Sequence, residues 1–271
     1  MRKLLKRLFV LKLYYSGFNW LCGRRMTRRI YLVGYHNIDT ISRFAKVTIS
    51  PRVFDQHLEY LKQNGHTFIS IDRLLTADVG NIRKPTVIYF DDGFKSVLTN
   101  ALPILKKFGA TPTVFVTTDY IGTEGYLSWD GVRTLTSQGA TIGAHGKTHK
   151  HMTQCTPQEL RTELVEPRVR IKSECNIDAR SLAYPNGRVN DAVADLAQKA
   201  GYMIGISSVE GTNTIADLKQ RGLRLKKIAP KPYDDLIMFK VKVYSWNLIL
   251  ELVRHSNILK NVGMSPMRIW S

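Results

Sequence analysis

Three cysteines in 271 residues, Cys22, Cys155 and Cys175, cannot all pair and show no C-x-x-C spacing. This argues against a disulfide framework and a cysteine-rich zinc site, and favours a reducing compartment. No run of eighteen uncharged apolar residues occurs, so a membrane-spanning helix is not expected. Acidic residues are absent before Asp39, whereas nine Lys/Arg fall between Arg2 and Arg29. From Lys226 onward there are eight Lys/Arg and three acids, so the two ends carry fourteen of the eighteen net positive charges. A nucleic-acid enzyme would run its basic stripe through the body that holds the site. Basic ends on a near-neutral body read as anchors for an anionic surface, and they disfavour nucleic acid as partner.

What is present is a globular composition, 44% hydrophobic and 23% charged, with length enough for one large α/β domain. Leu4, Leu8, Leu11 and Tyr15 share one face at helical spacing, with Arg2, Lys3 and Lys6 opposite. Such a basic amphipathic segment, 1–29, can lie on an anionic membrane, or can dock on the body with its basic face solvated. Lys12 breaks the apolar run and no small-x-small site follows, so the segment is expected to be retained rather than cleaved as a signal peptide.

From residue 30 on, short β-branched runs alternate with helical patterns. IYLVGY (Ile30–Tyr35), PTVIYF (Pro85–Phe90), TPTVFVTT, ATIGAH, Ser181–Tyr184 and Tyr202–Ser207 read as strands. Phe54–Asn64, Ser96–Phe108, Trp129–Gln138, Glu159–Cys175 and Asp191–Ala200 read as helices. Six or seven such units predict parallel βαβ packing closed into a barrel, with chemistry at the carboxyl ends of the strands. Asp91-Asp92, His145 and Tyr184-Pro185-Asn186-Gly187 each end a predicted strand, so three polar clusters are expected at one mouth.

Adjacent carboxylates after a buried strand are costly unless a cation meets them, although an Asp at a helix N-cap is the plainer reading. Neighbouring side chains point different ways, so one can bind a metal while the other stays free as a base. In AHGKTHKH the imidazoles of His145 and His149 stand four residues apart, with His151 crowding the same loop. Imidazole plus carboxylate is the usual ligand set for zinc and related ions, and three protein ligands leave a position for water.

YFDDG (Tyr89–Gly93), HGKTH (His145–His149) and AYPNG (Ala183–Gly187), in that order, resemble the three leading motifs of the polysaccharide deacetylases, carbohydrate esterase family 4 with its NodB-homology domain. Tyr35-His36 and GLRLKKI (Gly222–Ile228) resemble the branch acting on poly-N-acetylglucosamine. The resemblance spans roughly residues 30–230 and implies a distorted (β/α) barrel of about seven parallel strands. It implies Asp91 as general base, and Asp92, His145 and His149 as ligands of one divalent metal, zinc first, with Co2+, Ni2+ or Mn2+ also fitting. It further implies substrate contacts at Tyr184, Pro185 and Asn186, the last through its backbone N–H to the oxyanion.

This sequence departs from the family's pattern in three places. Ala183 stands where an Arg usually orients the catalytic Asp, leaving Arg224, Lys226 or Lys227 as replacements. Asn186 stands where an aromatic is usual. The late Leu-x-His motif is missing, so His36 is the first candidate for general acid and His151 the second. The expected activity is metal-dependent removal of N-acetyl groups from an N-acetylglucosamine-type sugar, in a bacterial surface polysaccharide or a lipid-linked precursor. Deformylation or deacetylation of an undecaprenyl-phosphate-linked sugar is the alternative, and a non-catalytic glycan-binding protein is the alternative of another class. The expected organisation is a basic segment 1–29, a catalytic domain 30–230 and a helical, membrane-associating extension 231–271. The expected location is the cytoplasmic face of the bacterial inner membrane, as a peripheral protein.

Overall fold

The structure, a computed structural model, describes residues 7–8, 11–12, 14–40 and 44–246. The chain divides into a unit of residues 28–232 and a second made from 1–27 with 233–271. In chain order, α1 (Phe18–Arg25) belongs to the smaller unit. The larger contains β1 (Tyr31–Tyr35), β2 (Asn37–Ile38), β3 (Thr48–Ile49), α2 (Pro51–Gln63), β4 (Thr67–Phe68) and β5 (Pro85–Phe90). It continues with α3 (Leu102–Lys107), β6 (Thr113–Val116), α4 (Trp129–Ser137), β7 (Thr141–Ala144), α5 (Pro157–Cys175) and β8 (Ser181–Ala183). It ends with α6 (Asp191–Lys199), β9 (Ile204–Glu210), α7 (Ile215–Arg221) and β10 (Leu225–Lys227), and α8 (Leu236–Val241) returns to the smaller unit.

Seven parallel strands run in the order β1-β5-β6-β7-β8-β9-β10. The last edge closes on the first just beyond β10, where the Ile228 N–H donates to the Leu32 carbonyl at 2.8 Å and the Ile228 carbonyl accepts from Gly34 N–H at 2.9 Å. The distortion lies at β5. Its outer edge pairs with β4 at Pro85 and Thr86, and with β6 only from Tyr89 onward. The fold is therefore the distorted (β/α) barrel expected from the sequence.

Alternation along the strands sorts the side chains. Ile30 and Leu32, Val87 and Tyr89, Phe115, Ala183, Ile204 and Ile206, and Leu225 form one buried cluster, joined by Ile71, Leu74 and Val79 from the 3-10 turns after β4. The opposite face packs on the helices: Tyr35 and Phe90 both meet the Phe54 ring of α2 edge-on, at 4.9 and 5.7 Å. Continuing the inward register past the strand ends puts His36, Asp91 and His145 at the mouth.

Two elements differ from the sequence reading. The predicted helix Ser96–Phe108 is a π turn over Val97–Ala101 followed by α3. Pro103 has no N–H to give the carbonyl four residues back, and the turn before it widens. β10, which closes the barrel, was not foreseen: it is three residues long and two of them are lysines.

In the smaller unit Asn19 Oδ1 accepts from Ser245 Oγ at 2.7 Å, and Gly23 lies against the Tyr244 ring, which a Cβ would approach to 3.0 Å. A buried Lys242–Asp234 ion pair at 2.6 Å precedes and follows α8, whose N-cap is Asp235. Leu8, Tyr15 and Trp20 are 53%, 74% and 62% exposed, with the Arg24 guanidinium 4.4 Å above the Trp20 ring. Leu11 of the predicted apolar stripe is half-buried, and Leu4 lies outside the described residues, as does the extension beyond 246. Among the described residues no helix is long and apolar enough to cross a membrane.

Candidate active site

β5 is six buried residues that end in two aspartates. Asp91 keeps the inward register and is only 3% exposed. Its N–H still donates to the Tyr35 carbonyl at 2.9 Å, so the ladder with β1 holds it one residue past the strand. Asp92 then turns to a left-handed backbone, φ 71°, which redirects its carboxylate. The left-handed region is rare for residues other than glycine and tends to occur where function demands a special direction.

His145 follows β7 and is 2% exposed. Its Nδ1 lies 2.7 Å from the Ala183 carbonyl at the end of β8, which can only accept, so Nδ1 carries the proton and Nε2 is left with a lone pair. That Nε2 lies 3.4 Å from Asp92 Oδ1, and His149 Nε2 lies 3.3 Å from the same oxygen. His149 also has a left-handed backbone, φ 64°. One donor atom from each of Asp92, His145 and His149 lies within 4.8 Å of the others. Asp92 Oδ1 is buried with no hydrogen-bond partner of good geometry, although two imidazole nitrogens face it. A carboxylate and two imidazoles converging on a common point, with the bonds between them unmade, is the donor set a divalent cation satisfies. The three residues fit such an ion.

The charges agree with that fit. Burial opposes ionisation of Asp92, but the adjacent imidazoles, His145 first and then His36 and His149, outweigh it and hold the carboxyl at about 2. Burial also opposes protonation of His145, and here the charges of Asp91 and Asp92 prevail and raise it. Burial, with the neighbouring His145, pulls His149 below the ordinary imidazole range. His36 is pulled down as well, by burial above all, against the opposing pull of Asp91 and Asp92.

The other predicted residues divide. His36 is half-buried with Nε2 at 3.9 Å from Asp91 Oδ2, and Asp91 Oδ1 has no hydrogen-bond partner. His151 is outside the metal-ligand group. Pro185 is buried, and Asn186 is exposed with φ 56° on the turn after β8. Tyr184 lies on the opposite face of β8 from Ala183, with its buried ring against Gly205 of β9. Arg224 pairs with Asp191, and Lys226 Nζ lies 3.9 Å from Asp217. Of the three candidates for the absent Arg, Lys227 is the one whose charge reaches His36. A cavity of about 930 Å³ between α6, β9 and α7 takes in Asp191 and Arg224, and none of the Asp/His cluster lines it.

The sequence reading missed two residues around the cluster. Tyr120, on the loop after β6, stacks on the His149 ring with centroids 6.0 Å apart. Glu163, on α5, binds the loop between the two histidines. A Glu within the apolar stripe of a helix was the available signal for the second; nothing in the sequence marked the first.

A family model for polysaccharide deacetylases matches residues 79–205, which takes in both aspartates, both histidines and the turn after β8. The chain is 25% identical over 186 residues to YxkH of Bacillus subtilis (strain 168), a protein named as a polysaccharide deacetylase, covering 68% of this chain and 66% of that one. It is 26% identical over 179 residues to a poly-β-1,6-N-acetyl-D-glucosamine N-deacetylase of Staphylococcus aureus (strain MSSA476), covering 60% and 62%. The chain thus spans just under two thirds of the length of these relatives. Among solved structures, the Streptococcus pyogenes deacetylase PplD in complex with acetate superimposes with a TM-score of 0.69 at 27% identity, over 76% of this chain and 94% of that one.

Proposed function

Since residues 79–205 match the polysaccharide deacetylase family model, we propose that this protein is a metal-dependent N-deacetylase acting on N-acetylglucosamine-type sugars of a polymer or a lipid-linked precursor. The observation that carries the reading is the pairing of an Asp/His/His cluster with a second buried carboxylate, Asp91, one residue away. Asp92, His145 and His149 would hold a divalent ion, zinc first, which when bound polarises the acetamide carbonyl and lowers the pKa of a coordinated water. Asp91 takes the proton from the attacking water as its oxygen adds to the acetyl carbon. The backbone N–H of Asn186, presented by the left-handed turn after β8, is the donor toward the developing oxyanion. His36, pulled below the ordinary imidazole range, enters neutral, faces Asp91 Oδ2, and can pass that proton to the sugar nitrogen as the C–N bond breaks and acetate leaves. The smaller unit, with its exposed aromatics and basic residues, would rest on an anionic membrane surface, placing the enzyme peripherally at the inner membrane's cytoplasmic face.

The test is release of acetate and free amine from β-1,6-linked N-acetylglucosamine oligomers, chitooligosaccharides and lipid-linked N-acetyl or N-formyl sugars. Activity should vanish after dialysis against a chelator and return with Zn2+ or Co2+. Zinc-loaded protein that releases nothing from any of these would overturn the assignment.

A further inference from the structure

Among the described residues, Glu163 is the carboxylate whose burial most lacks an explanation in the reaction. It sits on the buried stripe of α5 with Leu160, Leu164, Pro167 and Ile171, where helical spacing calls for an apolar residue, and it is 2% exposed. A carboxylate so placed costs several kcal/mol unless its oxygens are met. They are met, and all the donors come from the turn that joins the two histidines. Glu163 Oε2 accepts from the backbone N–H of Lys147 at 2.8 Å and of Thr148 at 3.0 Å, while Oε1 accepts from the Thr148 hydroxyl.

The rest of the turn is shaped around this carboxylate. Gly146 has φ 75°, and a Cβ there would stand 2.8 Å from Glu163 Oε2, so only glycine admits the acceptor at that distance. The turn's other side is tied by its carbonyls: Gly146 accepts from Thr118 N–H at 3.3 Å and Lys147 from Asp119 N–H at 3.0 Å. Outside the buried carboxylate, Lys147 Nζ meets Glu166 at 2.6 Å and Lys150 Nζ meets Glu159 at 2.9 Å. Glu159, Glu163 and Glu166 are spaced by four and three residues, which places them along one edge of the helix. Only the middle one is buried. The backbone leaving this clamp enters the left-handed His149, whose Nε2 faces Asp92.

We infer that Glu163 is a positioning residue that sets the direction of the His149 imidazole, and with it the affinity of the metal site. It touches neither substrate nor ion, and acts by fixing the backbone of the two residues that precede a ligand. The inference rests on His149 being a ligand, as the proposed function has it. Partners that orient metal ligands typically contribute about 10–100-fold in affinity.

The experiment measures Zn2+ and Co2+ dissociation constants of the full chain by chelator competition, with no substrate present. Glu163→Gln keeps the size but turns a donor group toward the amides, and Glu163→Leu completes the apolar stripe. Both should bind metal about 10–100-fold more weakly, and the visible spectrum of the Co2+ protein should change. Thr148→Val, which removes only the hydroxyl, should give a smaller loss and serves if neither Glu163 variant folds. Glu166→Gln, at an exposed pair, should leave affinity unchanged. Equal affinities and spectra in the wild type and in every folded Glu163 and Thr148 variant would overturn the inference. If the wild type itself binds no divalent metal, the proposed function fails instead, which is a distinct outcome.

Discussion

At Asp91 and Asp92 two chemically identical side chains meet different surroundings one residue apart. Asp92 Oδ1 faces two imidazole nitrogens at 3.3 and 3.4 Å, whereas Asp91 Oδ2 has the His36 imidazole at 3.9 Å. The backbone causes the split: Asp91 keeps strand geometry and the inward register, and Asp92 turns left-handed. Asp91→Asn is therefore expected to keep its metal and lose acetate release by about 10²–10⁴, the usual contribution of a general base. Asp92→Asn is expected to lose the metal. Metal analysis beside an acetate assay separates the two, and an Asp91→Asn protein purified without metal would reverse the assignment.

At the scale of elements, the barrel was legible because period-two alternation in PTVIYF and its fellows survives in the folded strands. The site was legible because polar residues ended those runs. The inward register of Val87 and Tyr89 carries to Asp91, and that of Ile30 and Leu32 carries to His36, so strand parity alone selects both. Closure through β10 was hidden, since two lysines in three residues carry little strand signal. The Glu163 clamp was hidden because its partners are backbone amides, which no side-chain pattern encodes. The turns after the strands were only partly readable. Gly187 has φ 67°, and a Cβ there would meet the Ser208 backbone nitrogen at 2.4 Å, while Gly109, in the turn after α3, has φ 65° with nothing within 4 Å. Gly109→Ala should cost only the left-handed strain, about 1–2 kcal/mol. Gly187→Ala must also push β9 away from the turn that carries Asn186, and should cost more. Urea unfolding of the two variants reads the difference; equal losses would mean that the contact with Ser208 yields freely.

The whole molecule joins the distorted barrel to a smaller unit with its own packing, which carries nine of the chain's eighteen net positive charges. Asn19 bonded to Ser245, and Gly23 against Tyr244, make α1 and the 242–246 turn one structure. Deleting the first 29 residues would therefore expose its remaining half, and substitutions at exposed positions are the cleaner probe. Leu8, Tyr15 and Trp20 offer apolar surface to solvent, in a unit that also exposes Lys12 and Arg24. A basic residue at an anionic bilayer contributes about 1 kcal/mol, and burying an apolar side chain adds about 1.5–3 kcal/mol when complete. The full chain should bind vesicles containing phosphatidylglycerol, release them as salt is raised, and bind phosphatidylcholine vesicles weakly. The combined variant Leu8→Ser, Tyr15→Ser, Trp20→Ser should bind anionic vesicles at least about tenfold more weakly, since even partial burial of three such side chains exceeds 1.4 kcal/mol. It should still hydrolyse a soluble oligosaccharide, because none of the three lies in the unit that carries Asp91 and the histidines. Co-sedimentation at low and high salt measures both effects. A full chain that ignores anionic vesicles at low salt, or a triple variant that binds them as the parent does, would mean that this surface meets something other than a membrane.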